Sequence, residues 1–319
     1  MLRDQPGPYR DVLEQAGFEI FYPRDGAAAL QSPQALAKEL QGMDAALAGM
    51  EPFTAEVLDC NRLRVIARMG VGYDAIDIPA ATRRGTVVTI APGTNQDCVA
   101  EHAMGLMLAV FRDIPNRDRE VRSGDWRRRS LPRMAGRTLG LIGLGRIGRA
   151  MVPRAQGLGL RVIASDPLAD PEFARQNHVR LCSLEELLRE ADIVSLHAPG
   201  SAQTNNLINA RTLNLMKPGS VLINTARGSL VDETALAEAL ASGHLLGAGL
   251  DAFKIEPLPL DSPLLKLSNV VFAPHMGGLD LESEVAMSRL AAQCIADLYQ
   301  GRWPSECVVN CELAGQWKW

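Results

Sequence analysis

The six cysteines, at positions 60, 98, 182, 294, 307 and 311, contain no CxxC pair. That argues against a zinc site and a disulfide framework, and fits structural thiols in a reducing, cytoplasmic setting. Cys307 and Cys311, close together near the end, have no reason in the sequence to pair. No apolar run is long enough to span a bilayer. The richest, HAMGLMLAVF from His102 to Phe111, falls well short of the roughly 20 residues a spanning helix needs. The start, MLRDQPGPYR, has no apolar core and does not read as a signal peptide. Neither sign of charge dominates: the net is −4, which gives no global reason to expect nucleic acid or an anionic membrane as partner. Repeats and low-complexity segments are absent. Histidine is scarce, with five in the chain, so one placed where a buried strand ends calls for an explanation.

What is present is an ordinary soluble composition, 47% apolar and 22% charged, over 319 residues, long for one core and suited to two domains. β-Branched runs alternate with helical patterns almost throughout: 63–68, 86–90, 137–143, 160–166, 191–197, 219–226, 246–253 and 269–274 read as strands. Between them SLEELLREA and DETALAEALASG are apolar at helical spacing, with Ser183 and Asp232 as N-caps. This alternation predicts an α/β protein with parallel sheets covered by helices, its ligands at the ends of the strands. One long helix is expected over 100–113 and a final one over 282–299, leading into a tail. The organisation that follows is a first domain built from the start and the tail, with a second domain inserted between the two long helices.

GLGRIG, Gly143 to Gly148, fits G-x-G-x-x-G. The pattern alone is weak, but here it follows the strand TLGLI and opens the helical stretch RIGRAMVPRAQ. A second strand then ends in Asp166, 23 positions after Gly143. That is the dinucleotide fingerprint in its structural context. Gly143 allows the tight turn, Gly145 a close approach of backbone to pyrophosphate, and Gly148 close packing of helix on strand. Helix N-terminal amides then face the phosphates. Asp166 suits both ribose hydroxyls and would repel a 2′-phosphate, so NAD is expected rather than NADP. Pro153 inside this helix predicts a kink.

Three polar residues follow later strands: Arg227 after VLINTA, Glu256 after LDAFKI and His275 after VVFAP. A lone histidine at a strand end is more often a core residue with a backbone partner. Successive strands of a parallel sheet nevertheless bring such residues to one edge. Hydride transfer between an alcohol and nicotinamide needs a proton acceptor, for which an imidazole fixed by a carboxylate serves. An acid substrate needs a guanidinium fork. Arg, Glu and His are those three parts.

NTARGSLVDETALAEAL, HLLGAGLDAFKIEPLPLDSPLL and NVVFAPHMGG resemble the signatures of the D-isomer-specific 2-hydroxyacid dehydrogenases. ARMGVGYDAID, GLGRIG and DIVSLHAP resemble that family too, in its order, so the likeness covers nearly the whole chain. It implies a flavodoxin-like substrate domain (1–98 and 287–319), an inserted Rossmann NAD-binding domain (99–286), a cleft between them, NAD as cofactor and a homodimer built through the cofactor domains. By the same resemblance Arg227, Glu256 and His275 are catalytic, and Arg68, Met69, Gly70, Val71 and Arg227 bind substrate, the amides of 69–71 meeting its carboxylate. Cofactor contacts fall on Gly143, Gly145, Arg146, Ile147, Gly148, Asp166, Ala198, Pro199, Thr204, Thr225, Ala226, Asp251, His275 and Gly277, with Asp251 at the nicotinamide carboxamide. No metal is expected. The reaction implied is reversible hydride transfer between NAD(H) and a small 2-hydroxy or 2-keto acid, such as D-3-phosphoglycerate. The alternatives are a glyoxylate or hydroxypyruvate reductase, and an NADH-sensing corepressor on the same scaffold. A formate dehydrogenase fits less well, because that branch carries glutamine where Glu256 stands.

His197, also at a strand end, is expected to shape the cofactor pocket through its neighbours, and His102, His178 and His244 to be structural. The segment 111–137 holds nine arginines with four acids interleaved, which suits a solvated or subunit-facing stretch. Arg68, Arg83 and Arg128 match positions where phosphoglycerate dehydrogenases hold substrate phosphate. Three features depart from the family pattern. MLRDQPG is a poor first strand, Ala252 and Lys254 stand where DVFE is usual, and Asp280 replaces a threonine. No regulatory domain is expected after the final helix.

Overall fold

The computed structural model describes residues 7–23 and 32–319. The chain divides into two compact units, one running to Asn95 and resuming over Asp280–Trp319, the other Gln96–Leu279. The junctions lie at 95/96 and 279/280, each a few residues before the sequence-based boundary.

In the first unit the described residues form a parallel sheet of β1 (Ala45–Ala48), β2 (Val65–Arg68) and β3 (Val87–Thr89), in that order. β2 and β3 lie in the expected runs, whereas β1 lies outside them. Its sequence, AALA, favours helix, yet Ala45–Ala48 pairs residue for residue with Val65–Arg68, and pairing in a buried sheet outweighs local preference. The strand expected ahead of PYRDVLEQ falls on residues 1–6, outside the described residues. The final helix, Leu281–Tyr299, opens on Asp280, whose carboxylate accepts the Ser283 N–H at 2.6 Å. Threonine also caps helices, so the departure leaves the capping role of the position intact. Ala291, Ala292, Ile295 and Leu298 of that helix share a core with Tyr9, Leu13, Val65 and Val87. The tail returns along β3, where Val309 N–H donates to Val88 O and Ile90 N–H to Cys307 O, both at 2.9 Å.

The second unit holds a seven-stranded, wholly parallel sheet. Its strands are β4 (Thr138–Ile142), β5 (Arg161–Ser165), β6 (Arg180–Leu181), β7 (Ile193–Leu196), β8 (Ser220–Asn224), β9 (Leu245–Leu250) and β10 (Val270–Phe272). They are arranged β10-β9-β8-β7-β4-β5-β6, the doubly wound order of a Rossmann domain with one strand added. β6 is not among the expected strands, being two exposed residues at the edge. β4, β7 and β8 are buried along their whole length, which is why they read as continuous apolar runs. Ser183 caps its helix in a reciprocal box with Glu186, and Asp232 accepts the Thr234 and Ala235 amides. Pro153 lies within a single helix, Arg146–Gly157. The helix expected over 100–113 is present as Gln96–Phe111, and a further helix, Ile114–Arg122, follows it after Asp113, whose φ is +51°. The strand order reverses between β4 and β7, and loops at the carboxyl ends of strands that flank such a reversal form a ligand crevice.

Candidate active site

The turn after β4 is packed backbone against backbone. Gly143 has φ +100°, and a Cβ there would lie 2.7 Å from the His197 carbonyl. A Cβ on Gly148 would stand 2.3 Å from Gly143 O, so the Arg146–Gly157 helix presses directly on the turn. Around Gly145 the opposite holds, since a Cβ would meet nothing within 4 Å. The amides that open the helix face this free space, with Arg146 exposed and Ile147 half-buried. Asp166 is tied to the same turn. Its Oδ2 accepts Leu144 N–H and its Oδ1 accepts Leu168 N–H, each at 2.7 Å. Each carboxylate oxygen keeps a second lone pair for a hydroxyl.

The loops after β7 and β8 line the neighbouring edge. Ala198 and Pro199 follow His197. His197 Nε2 meets Ser195 Oγ at 2.9 Å, and Nδ1 is buried without a partner among the described residues. Burial pulls the His197 pKa down to about 4, so this ring is neutral at pH 7 and does not donate a proton. Thr204 stays within its own loop, its hydroxyl donating to Pro199 O at 2.7 Å and accepting Ser201 N–H. Thr225 Oγ1 is buried and lacks a partner among the described residues. Open space over Gly145, helix-terminal amides, the Asp166 carboxylate and the unpaired Thr225 hydroxyl form a set of groups that fits a dinucleotide.

The ends of β8, β9 and β10 are sewn together beyond the strands. Asp251 N–H donates to Asn224 O and His275 N–H to Asp251 O, both at 2.9 Å. Buried Asn224 spans the next turn, its Oδ1 accepting Ala226 N–H at 3.0 Å and its Nδ2 donating to Arg227 O at 2.9 Å. Gly228 lies so close to the Phe253–Lys254 peptide that a Cβ would come within 1.8 Å of Phe253 C. These contacts bring the Arg227 turn against the loop that carries Glu256.

Glu256 Oε2 meets His275 Nδ1 at 2.7 Å, and Oε1 accepts Phe253 N–H at 2.9 Å. Burial pushes the Glu256 carboxyl up, but the His275 and Phe253 hydrogen bonds outweigh it and hold it below the usual carboxylate range. With Nδ1 committed, Nε2 is the nitrogen able to exchange a proton with a ligand. Both side chains remain partly open, 28% exposed for His275 and 30% for Glu256. His275 has φ +52°, a left-handed conformation that costs a non-glycine residue about 1–3 kcal/mol and concentrates at functional sites. Arg227 is half-buried, with Nη1 donating to Ala226 O at 2.7 Å. Asp251 is 1% exposed, and its oxygens accept Met276 N–H and Gly277 N–H.

In the first unit, Met69 N–H already donates to Ala48 O at 2.8 Å and Gly70 N–H to Arg68 O at 3.0 Å. Of the three amides expected to meet a substrate carboxylate, two are therefore engaged. Arg68 folds back, Nη1 donating to Met69 O at 2.6 Å and Nη2 lying 3.0 Å from Met50 Sδ. Arg83 and Arg128 are exposed. In the arginine-rich segment Arg117 pairs with Asp113 and Glu120, Arg129 with Glu120, Arg122 with Asp118 and Arg127 with Asp125. Sequence reasoning passed over Asn224 and Gly228, and took His102 as structural without placing it at this site. For Asn224 a signal existed, an amide ending a buried apolar run. For the other two the reason is a close approach that only the fold creates.

Residues 104–277 match the family described as "D-isomer specific 2-hydroxyacid dehydrogenase, NAD binding domain". The chain is 41% identical over 270 residues to a glyoxylate reductase of Korarchaeum cryptofilum, covering 82% of this chain and 81% of that protein. It is also 41% identical over 269 residues to a D-3-phosphoglycerate dehydrogenase of Mycobacterium bovis, covering 82% of this chain but 51% of the relative. The chain thus spans about half the length of that dehydrogenase. Among solved structures it superposes on the TT0316 protein from Thermus thermophilus with a TM-score of 0.84 and 38% identity, over 96% of this chain and 98% of that one.

Proposed function

The chain belongs to the D-isomer-specific 2-hydroxyacid dehydrogenases, NAD-dependent oxidoreductases, and on that premise we propose that it interconverts a short, unphosphorylated 2-keto acid such as glyoxylate or hydroxypyruvate with the corresponding 2-hydroxy acid. The observation that carries the site assignment is the 2.7 Å contact between Glu256 and His275 at the carboxyl edge of the sheet.

NADH, when bound, supplies hydride to C2 of the keto acid. Gly143, Gly145, Gly148 and the helix amides hold its pyrophosphate, and Asp166 its adenosine ribose. Arg227 clamps the substrate carboxylate through its planar fork. His275, as imidazolium, gives the Nε2 proton to the carbonyl oxygen. Glu256 keeps the Nδ1 proton in place and favours the charged ring. In the oxidative direction neutral Nε2 takes the proton back. The absence of a phosphate contact in this reading rests on Arg68, which is folded onto its own loop.

A homodimer built through the cofactor-binding unit accords with Ile114, Val121 and Trp126 of the arginine-rich segment, which expose 51%, 53% and 78% of their surface. A monomeric mass in solution would remove it. None of the six cysteines is in a disulfide, which fits a cytoplasmic location. The deciding experiment is NADH oxidation across a panel of 2-keto acids. Glyoxylate or hydroxypyruvate should give the highest kcat/KM. Preference for 3-phosphohydroxypyruvate would move the assignment to phosphoglycerate, and binding of NADH with no turnover of any keto acid would favour a corepressor.

A further inference from the structure

The turn that carries His275 is gripped by a single residue. Asp251 O accepts the His275 N–H at 2.9 Å, Oδ1 accepts Met276 N–H at 2.9 Å, and Oδ2 accepts Gly277 N–H at 2.8 Å. Three consecutive amides thus end on one side chain and its own carbonyl. Behind it stands His102, on the Gln96–Phe111 helix, with Nε2 3.3 Å from Asp251 Oδ1. The packing is tight, since a Cβ on Gly277 would come 2.8 Å from Oδ2 and 3.4 Å from His102 Cδ2.

We propose that Asp251 and His102 are positioning residues for the acid–base pair, holding the 275–277 turn so that a left-handed His275 keeps Nδ1 on Glu256. This rests on the reading of His275 as proton donor. A residue at φ +52° stays there only while its surroundings over-determine it. Relaxation to negative φ would redirect the His275 Cα–Cβ bond. Glu256 would not follow, because Phe253 N–H anchors it separately. Asp251 suits this task as an anion. Burial pushes its carboxyl up, but His102 and the Met276 and Gly277 amides outweigh that and keep it below the usual carboxylate range. The family likeness gives Asp251 a contact with the nicotinamide carboxamide. At 1% exposure, with both oxygens on the turn, the carboxylate is directed toward the protein itself.

The two roles separate in D251N, G277A and H102Q. Asparagine loses one of the two acceptors, and alanine at 277 pushes Oδ2 off its amide. Reductive kcat should fall about tenfold to a hundredfold in D251N and G277A, and less in H102Q, as expected when a reacting group is misplaced. NADH affinity, measured by fluorescence titration, should stay close to that of the unmodified protein in H102Q, and in D251N and G277A it should fall by much less than the rate. The midpoint of the reductive kcat/KM profile should move to lower pH, as it would if Glu256 were removed. NADH affinity lost in step with rate would make Asp251 a cofactor ligand and overturn the proposal. So would a lowered rate with an unmoved midpoint, the mark of a purely structural role. G277A and H102Q carry the test if D251N does not fold. If the unmodified protein reduces no 2-keto acid, the dehydrogenase reading fails, and amide exchange still decides the clamp. Met276 and Gly277 should exchange slowly in the unmodified protein and fast in D251N, and equal exchange would refute it.

Discussion

The turn after β4 and the corner formed by the ends of β8, β9 and β10 lie on one edge of one sheet, yet they are made of different materials. The first is backbone. Gly143 and Gly148 bring main chain within contact of main chain, and the groups turned toward a ligand are amides. The second is side chain. Glu256, His275, Asn224 and Asp251 hold one another through hydrogen bonds, and His275 is kept in a left-handed conformation. A backbone site binds without choosing a protonation state. A side-chain site moves a proton, and its performance depends on a neighbouring charge.

This contrast predicts three separable failures. The largest belongs to H275Q, which removes the proposed proton carrier and should lower kcat by about 10² to 10⁴. NADH binding should be nearly unchanged, because the backbone site is intact. A loss of NADH affinity as large as the loss of rate would erase the division between the two regions. G143A should show the reverse pattern. A Cβ at 2.7 Å from the His197 carbonyl, on a residue with φ +100°, forces the turn to shift. NADH affinity should fall roughly tenfold, or about 1.4 kcal/mol, with the pH profile of the remaining activity unmoved. A shifted profile would mean that the two regions are coupled.

The smallest effect, and the sharpest, is that of E256Q. The Glu256 carboxyl is held below the usual range, so it is ionised across neutral pH. Its charge favours the imidazolium, the form that keto-acid reduction needs. E256Q removes that charge and keeps the shape of the side chain. The reductive profile should therefore move down, leaving less activity at neutral and alkaline pH. Oxidation needs the neutral ring, so its optimum should move down as well. Profiles in both directions that coincide with those of the unmodified protein would reduce Glu256 to a structural carboxylate.

The two regions also differ in how far they can be read before folding. GLGRIG is local, with strand, turn and helix inside a dozen residues, and its glycine spacing states its geometry. The buried runs of β4, β7 and β8 are equally plain. β1 is hidden because AALA reads as helix and becomes strand only by pairing with β2. The helix Ile114–Arg122 leaves no apolar signal, because none of its residues is buried. Thr204 and the amides of Met69 and Gly70 match family positions, yet they are engaged within their own loops. A match of residue type does not say where a hydrogen bond goes.

From the sequence alone came the α/β alternation, the dinucleotide turn with Asp166, and the three residue types at strand ends. Each of these is a matter of local composition and periodicity, which the chain carries whether or not it is folded. Only tertiary structure decided that Glu256 and His275 share a bond across 19 positions. Only tertiary structure set His102 behind Asp251 and made Asp251 grip the turn of His275. The physical reason is register. β9 and β10 pair Leu250 with Phe272, and that alignment, together with the close approach of Gly228 to the Phe253–Lys254 peptide, determines which side chains meet beyond the strands.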